Sequence, residues 1–226
     1  MPVYRKHRLV HIHIPRTGGT AIEQFFHRLG DLVWGLDSWV GQEHYNGRWY
    51  ELQHMTIGEL KSFTGSEFDS NESFVVVRNP YERIVSDYLW RCLVKKRYPN
   101  APVLSFPSFD SFIHAIPADI NSKWESLIHG ANQSQANLLI HVRPQYHYIE
   151  AELVDHVLRF EMLDEEMARL MDPFGVKTVS IRKPSQRDVS TFFTPETLEV
   201  VNRIYCQDFN LFSWPRLMEF PRGPLV

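Results

Sequence analysis

Apolar positions fall into short runs, and the first run is the most informative. Leu9, Val10, Ile12 and Ile14 make an apolar, partly β-branched stretch that predicts a buried strand over residues 8–14. Pro15 ends it, because proline has no N–H to give a ladder. Ile22, Phe25, Phe26 and Leu29 then recur at helical spacing, which predicts a helix over 20–29 with Thr20 as its cap. Between strand and helix lies Arg16-Thr17-Gly18-Gly19. Two glycines permit left-handed backbone and close approach of a ligand. A helix start behind such a loop offers unpaired N–H groups and the positive end of the dipole. With Arg16 and the hydroxyls of Thr17 and Thr20 beside it, the segment is a ready anion site.

A second unit of the same kind follows. Phe74-Val75-Val76-Val77 is a continuous apolar run that suits a central parallel strand, predicted over 73–78. Asn79 and Pro80 are the preferred cap and first residue of a helix. Tyr81, Ile84, Val85, Tyr88 and Cys92 continue it at helical spacing. Arg78 stands at the carboxyl end of the strand, where open α/β sheets bind ligands. It either contacts an anion there or simply turns out to solvent.

The remaining pattern adds helices and one more strand. Thr56 and Glu59 form a capping box that starts a short helix. Phe109, Phe112, Ile113 and Ile116 predict a helix over 108–116, and 155–161 reads as a strand. A helix over 163–171, with Asp164 as its cap, is ended by Pro173 and Gly175, and 176–181 reads as extended. Thr194-Pro195-Glu196 starts the last strong helix, with Leu198, Val201, Ile204 and Tyr205 inward. Residues 31–50 read as a loop rich in aromatic side chains, including Trp34, Trp39, Tyr45, Trp49 and Tyr50. They form either ligand walls or a clasp over the core. Residues 119–150 have too weak a periodicity to place. The two strand–loop–helix units predict an α/β fold, and 226 residues suit a single domain.

Composition changes this picture little. The apolar share is 43% and charged residues are 23%, which is ordinary for a globular protein. A net charge of −3 argues against a nucleic-acid or anionic-membrane partner, so any basic site must be local. Two cysteines at no zinc spacing give no metal motif and compel no disulfide. No signal peptide or apolar run of about 18 residues is seen, so the expectation is a cytoplasmic protein with no membrane partner. Oligomeric state is not legible.

Candidate chemistry centres on His54, just ahead of the Thr56 cap. A histidine at the mouth of a helix start tends to stay neutral, which suits a general base; equally, it could fasten the turn. Glu43, His44 and Asp87 are the substitutes for that role. His11 and His13 alternate with Val10, Ile12 and Ile14, which points to packing and not to a metal site. A Walker A loop fits poorly, because on Gly19 the alignment puts Ile14 at the first glycine and Thr20-Ala21 at the Lys-Ser/Thr pair.

Ile12-His13-Ile14-Pro15-Arg16-Thr17-Gly18-Gly19-Thr20 resembles the 5′-phosphosulfate loop of sulfotransferases. Val77-Arg78-Asn79-Pro80, with Ser86 further on, resembles their 3′-phosphate motif. The form is that of sulfotransferase family 2, the carbohydrate branch that includes heparan sulfate 2-O-sulfotransferase. Weaker similarities are Gln53-His54, Pro144-Gln145, Leu158-Arg159-Phe160-Glu161 and Asp208-Phe209. The resemblance implies a P-loop-like three-layer sandwich, a central parallel sheet flanked by helices. It implies 3′-phosphoadenylyl sulfate (PAPS) as donor, no metal, and a hydroxyl-bearing acceptor, either a carbohydrate or another small alcohol or phenol. It places Arg16, Thr17, Gly18, Gly19 and Thr20 on the phosphosulfate, and Arg78 and Ser86 on the 3′-phosphate. Lys183 and Ser185, in the basic loop 182–187, would lie over the nucleotide. His54 would be the base and Arg16 would assist the leaving phosphate. The family usually has lysine at Arg16. A guanidinium keeps the charge but cannot give up a proton. The alternatives are a non-catalytic protein that binds PAPS or another nucleotide, and a nucleotide-dependent phosphotransferase.

Overall fold

The computed structural model describes residues 3–31, 42–149, 154–177, 179–181 and 188–220. The chain begins β1 (Val3–Tyr4), β2 (Leu9–Ile12), α1 (Gly19–Arg28), β3 (Gln42–Tyr45) and β4 (Arg48–Glu51). It continues α2 (Ile57–Thr64), α3 (Ser66–Asp69), β5 (Glu72–Val77), α4 (Pro80–Arg97), α5 (Phe109–His114) and α6 (Trp124–His129). It ends α7 (Gln133–Val142), α8 (Tyr146–Ile149), β6 (His156–Arg159), α9 (Leu163–Met171), α10 (Pro195–Ile204) and α11 (Cys206–Leu211). These elements gather into two compact units: 1–43, 50–78 and 147–184 form the first, and 44–49, 79–146 and 185–226 the second.

The first unit is α/β. Its sheet has the order β1-β2-β5-β6. β2, β5 and β6 run parallel, with Val10 opposite Ser73 and Val75 opposite Val157, and β1 is antiparallel at the edge. Ser73 fixes the β5–β6 register: its N–H and its hydroxyl both donate to Asp155 Oδ2 at 2.7 Å. Leu9, Phe74, Val76 and Leu158 share one face and pack on Ile22, Phe25 and Phe26 of α1 and Leu163 and Met167 of α9. Each such fully buried side chain contributes about 1.5–3 kcal/mol. The result is the predicted parallel centre, positioned so that β2 and β5 both end beside the glycine loop.

The second unit is helical. Its core gathers Ile84 and Val85 of α4, Phe112 of α5, Leu139 of α7, and Leu198 and Val201 of α10. α4 also buries a polar stripe at four-residue spacing: Arg83, Asp87 and Arg91. Arg91 Nε donates to Asp87 Oδ2 at 2.6 Å and Nη1 donates to Asn137 Oδ1 at 3.0 Å. His141 Nδ1 lies 2.7 Å from Asp87 Oδ1, and Trp90 stacks on the His141 ring at 4.5 Å. Arg83 donates to the carbonyls of His141 and Arg143, at 2.8 and 3.0 Å. Asp208 accepts the N–H groups of Gln145 and Tyr146, each at 2.9 Å. Burial nevertheless holds its carboxyl above the usual range.

Several boundaries differ from the sequence reading. Residues 31–50 are not all loop: β3 and β4 form a hairpin around Asn46 and Gly47, both with positive φ (48° and 75°). Asn-Gly is the dipeptide that a two-residue hairpin turn demands. The strand predicted over 155–161 stops at Arg159, and Phe160–Met162 make a turn of 3-10 helix. Asp164 does not cap α9, whose cap is Met162. Its Oδ1 instead accepts Ile181 N–H at 2.9 Å. The described residues of 176–181 form no strand. No helix among the described residues is long and apolar enough to cross a membrane.

Candidate active site

The loop after β2 folds around two left-handed residues, Arg16 (φ 69°) and Gly18 (φ 93°). α1 starts one residue before the predicted position, at Gly19, and its cap is Gly18 in place of Thr20. The reason is backbone conformation: the αL geometry at Gly18 suits glycine, and its carbonyl accepts Ala21 N–H at 2.9 Å and Ile22 N–H at 3.2 Å. This cap brings no side chain to the first turn, and no acidic residue stands in that turn. Among the described residues, no side chain caps the leading N–H groups of α1, the groups an anion would take. Thr20 is exposed in this turn. Thr17 is fully buried, and its hydroxyl donates to Ile14 O at 2.8 Å, so it fastens the loop.

Arg78 props the loop from the end of β5. Its Nη1 donates to Arg16 O at 3.2 Å, and its guanidinium lies over the Phe160 ring at 4.3 Å. Phe160 also backs Gly18, where an added Cβ would meet its Cε2 at 2.9 Å. Thus Arg78 and the Leu158–Glu161 segment, separate in sequence, converge on the turn that carries Arg16.

His54 ends a 3-10 turn, Leu52–His54, two residues before the Thr56 cap of α2. The predicted capping box is present: Thr56 N–H donates to Glu59 Oε2 at 2.8 Å and Glu59 N–H donates to Thr56 Oγ1 at 3.2 Å. The His54 side chain is buried, and its Nδ1 lies 2.8 Å from His13 O. A carbonyl only accepts, so Nδ1 carries the hydrogen and Nε2 carries the lone pair of the neutral ring. Gln53 Nε2 lies 3.1 Å from that lone pair, and Glu51 Oε2 3.9 Å from it. This is the tautomer that a general base needs.

The other predicted site residues are dispersed. Ser86 is half-buried on α4, in the helical unit. Asp87 is committed to Arg91 and His141. His44 is exposed beside Trp49, at 5.0 Å between rings. Trp49 packs on the core of the helical unit, as a clasp would. Lys183 and Ser185 lie outside the described residues, as do Trp34, Trp39 and the Glu43 side chain. His11 and His13 are both buried, as the alternation along the strand predicts. His11 is fully buried, with both ring nitrogens lacking a hydrogen-bond partner among the described residues, and stacks on Phe74 at 4.6 Å. Burial holds its pKa well below the usual histidine value, with His13 adding to the effect. The residues that sequence reasoning missed are His13, through its carbonyl, and Phe160. Only the loop motif itself signalled the first, and only the weak Leu158-Arg159-Phe160-Glu161 similarity signalled the second.

A family model described as the sulfotransferase family matches residues 1–215. The chain belongs to the sulfotransferase family. The match is to sulfotransferase family 2 and spans both units. No curated protein and no solved structure matches the chain. A sulfotransferase needs a receptor for a sulfated donor and a group that takes the acceptor's proton. The glycine loop and the His54 ring both lie in the α/β unit.

Proposed function

We propose that this sulfotransferase moves a sulfuryl group from PAPS to the hydroxyl of a carbohydrate or other small alcohol or phenol, and that its two units make one P-loop-like sulfotransferase domain. The observation that carries the reading is the pairing of a helix start that no side chain caps with a histidine whose Nδ1 faces the His13 carbonyl. The N–H groups of Gly18, Gly19 and Thr20, with Arg16, hold the phosphosulfate. Arg78 and Ser86 hold the 3′-phosphate.

His54 Nε2 takes the proton of the acceptor hydroxyl. The acceptor oxygen bonds to sulfur as the bond from sulfur to the bridging phosphate oxygen breaks. Adenosine 3′,5′-bisphosphate leaves with the electron pair, and Arg16 and the loop N–H groups stabilise its growing charge. As in phosphoryl transfer, positioning and charge stabilisation supply most of the effect. The residues require no metal for this step.

Turnover of PAPS against a panel of sugars, alcohols and phenols tests the reading. Acceptor-dependent release of the bisphosphate supports it. Magnesium-dependent ATP hydrolysis with no use of PAPS overturns it. A non-catalytic donor-binding protein is the second reading, favoured by Arg16, whose guanidinium cannot pass a proton to the leaving oxygen. Tight PAPS binding with no transfer to any acceptor would select it.

A further inference from the structure

His13 lies between the anion loop and His54, and each part of it touches one of them. Its backbone carbonyl accepts His54 Nδ1–H at 2.8 Å. Its ring meets the His54 ring edge-on, at 4.5 Å between centroids and 70° between planes. On the other side the ring occupies the space that a Cβ at Gly19 would take, with Nε2 as the nearest atom. Gly19 is the first residue of α1. Nδ1 stands 3.4 Å from Glu23 Oε1, one turn further along α1, within ion-pair range but outside hydrogen-bonding geometry. The side chain is only 7% exposed, and His11 stacks behind it at 5.3 Å. The ring is therefore wedged between the first turn of α1 and the imidazole of His54.

We propose that His13 is a positioning residue that couples occupancy of the donor loop to the alignment of His54. Its carbonyl selects the Nδ1–H tautomer, and its ring braces His54 against the helix turn that receives the donor. An anion drawn onto the first turn of α1 presses on the same ring that holds the base, so donor binding and base alignment are linked through one side chain. Gly19 follows from the same arrangement: any side chain there would take the place of the brace. The inference rests on the donor-site reading above, but one half of it, the tautomer of His54, is measurable without any ligand.

The experiment is long-range 1H–15N correlation NMR on the full chain labelled at histidine nitrogens, titrated with adenosine 3′,5′-bisphosphate. In the wild type, His54 shows the Nδ1–H tautomer and its ring nitrogens shift on titration. In His13→Ala, which keeps the backbone carbonyl, His54 retains the Nδ1–H tautomer, but its titration shift falls at least fivefold, while bisphosphate affinity by calorimetry stays within about threefold, since the His13 ring is a brace and not a phosphate anchor. His13→Phe, which refills the flank without ring nitrogens, restores the titration shift. If His13→Ala does not fold, His13→Asn takes its place with the same expectations. A His54 titration response unchanged in His13→Ala overturns the inference. A wild-type His54 in the Nε2–H tautomer also overturns it. If the wild type binds no bisphosphate at all while His54 keeps the expected tautomer, the donor-site reading and the claimed coupling fall together, and the carbonyl contact alone survives.

Discussion

Gly19→Ala is the most informative single change in the loop. The new methyl group would overlap the imidazole of His13, with Nε2, Cδ2 and Cε1 as the nearest atoms. That ring is buried, so it has little free volume to enter. Forcing extra volume into a packed site costs about 1–3 kcal/mol. Alanine regains about 0.5–1 kcal/mol of helix propensity relative to glycine. The net expectation is a loss of roughly 1–2 kcal/mol, or a fall in Tm of about 2–8 °C for a chain of this size. Activity should suffer more than stability, because a shift of about 1 Å at His54 costs on the order of 100-fold in rate. A double-mutant cycle isolates the cause. In a His13→Ala background the overlapping atoms are gone, so Gly19→Ala should be neutral or stabilising, giving a coupling of about 1–3 kcal/mol by denaturant unfolding. An equal cost for Gly19→Ala with and without the His13 ring would refute the reasoning.

Four further outcomes follow from the same structure. His54→Ala should lower kcat by about 100- to 10,000-fold in PAPS turnover and leave bisphosphate affinity close to wild type, as loss of a general base does. Arg16→Ala should lower turnover by about 100- to 1,000-fold, whereas Arg16→Lys should retain it, since either cation stabilises the leaving phosphate. The buried His11 ring is neutral in the folded protein and takes a proton on unfolding below about pH 6.5, so folding stability should be level above neutral pH and fall as pH drops below 6.5, by up to about 1.4 kcal/mol per unit. His11→Phe should flatten that slope in urea melts recorded between pH 7 and 5. Arg91→Met strips one partner from the buried Asp87 and should cost about 3–5 kcal/mol in unfolding experiments.

The parts of the structure legible in the sequence are those fixed by local chemistry. The Thr56–Glu59 box, Asn79-Pro80 and Thr194-Pro195 all start helices where expected, because capping is decided within a few residues. The continuous run before Arg78 is the central strand for the same reason: burial on both faces leaves no polar alternation. Two further elements carry local signals: Asn46-Gly47 for the hairpin, and Asn132 with Gln135 for the capping box of α7. The helices of 119–150 were obscured because α7 buries Asn137 and His141 among its apolar residues. α4 hides its inward stripe in the same way, with Arg83, Asp87 and Arg91 satisfied by distant carbonyls and side chains. Asp164 looked like a cap and instead serves Ile181, a long-range choice that no local pattern encodes. The candidate site divides along the same line. The glycine loop and His54 were readable as residues, whereas the His13 carbonyl that sets the tautomer is backbone and has no sequence signature.

The central claim is that the loop after β2 receives the phosphosulfate end of a PAPS-type donor. Calorimetric titration of the full chain with adenosine 3′,5′-bisphosphate, for the wild type and for Arg16→Ala and Arg78→Ala, tests it most directly. One site per chain, weakened at least tenfold by either substitution, is the predicted result. No binding in the wild type, or binding that neither substitution weakens, would contradict it.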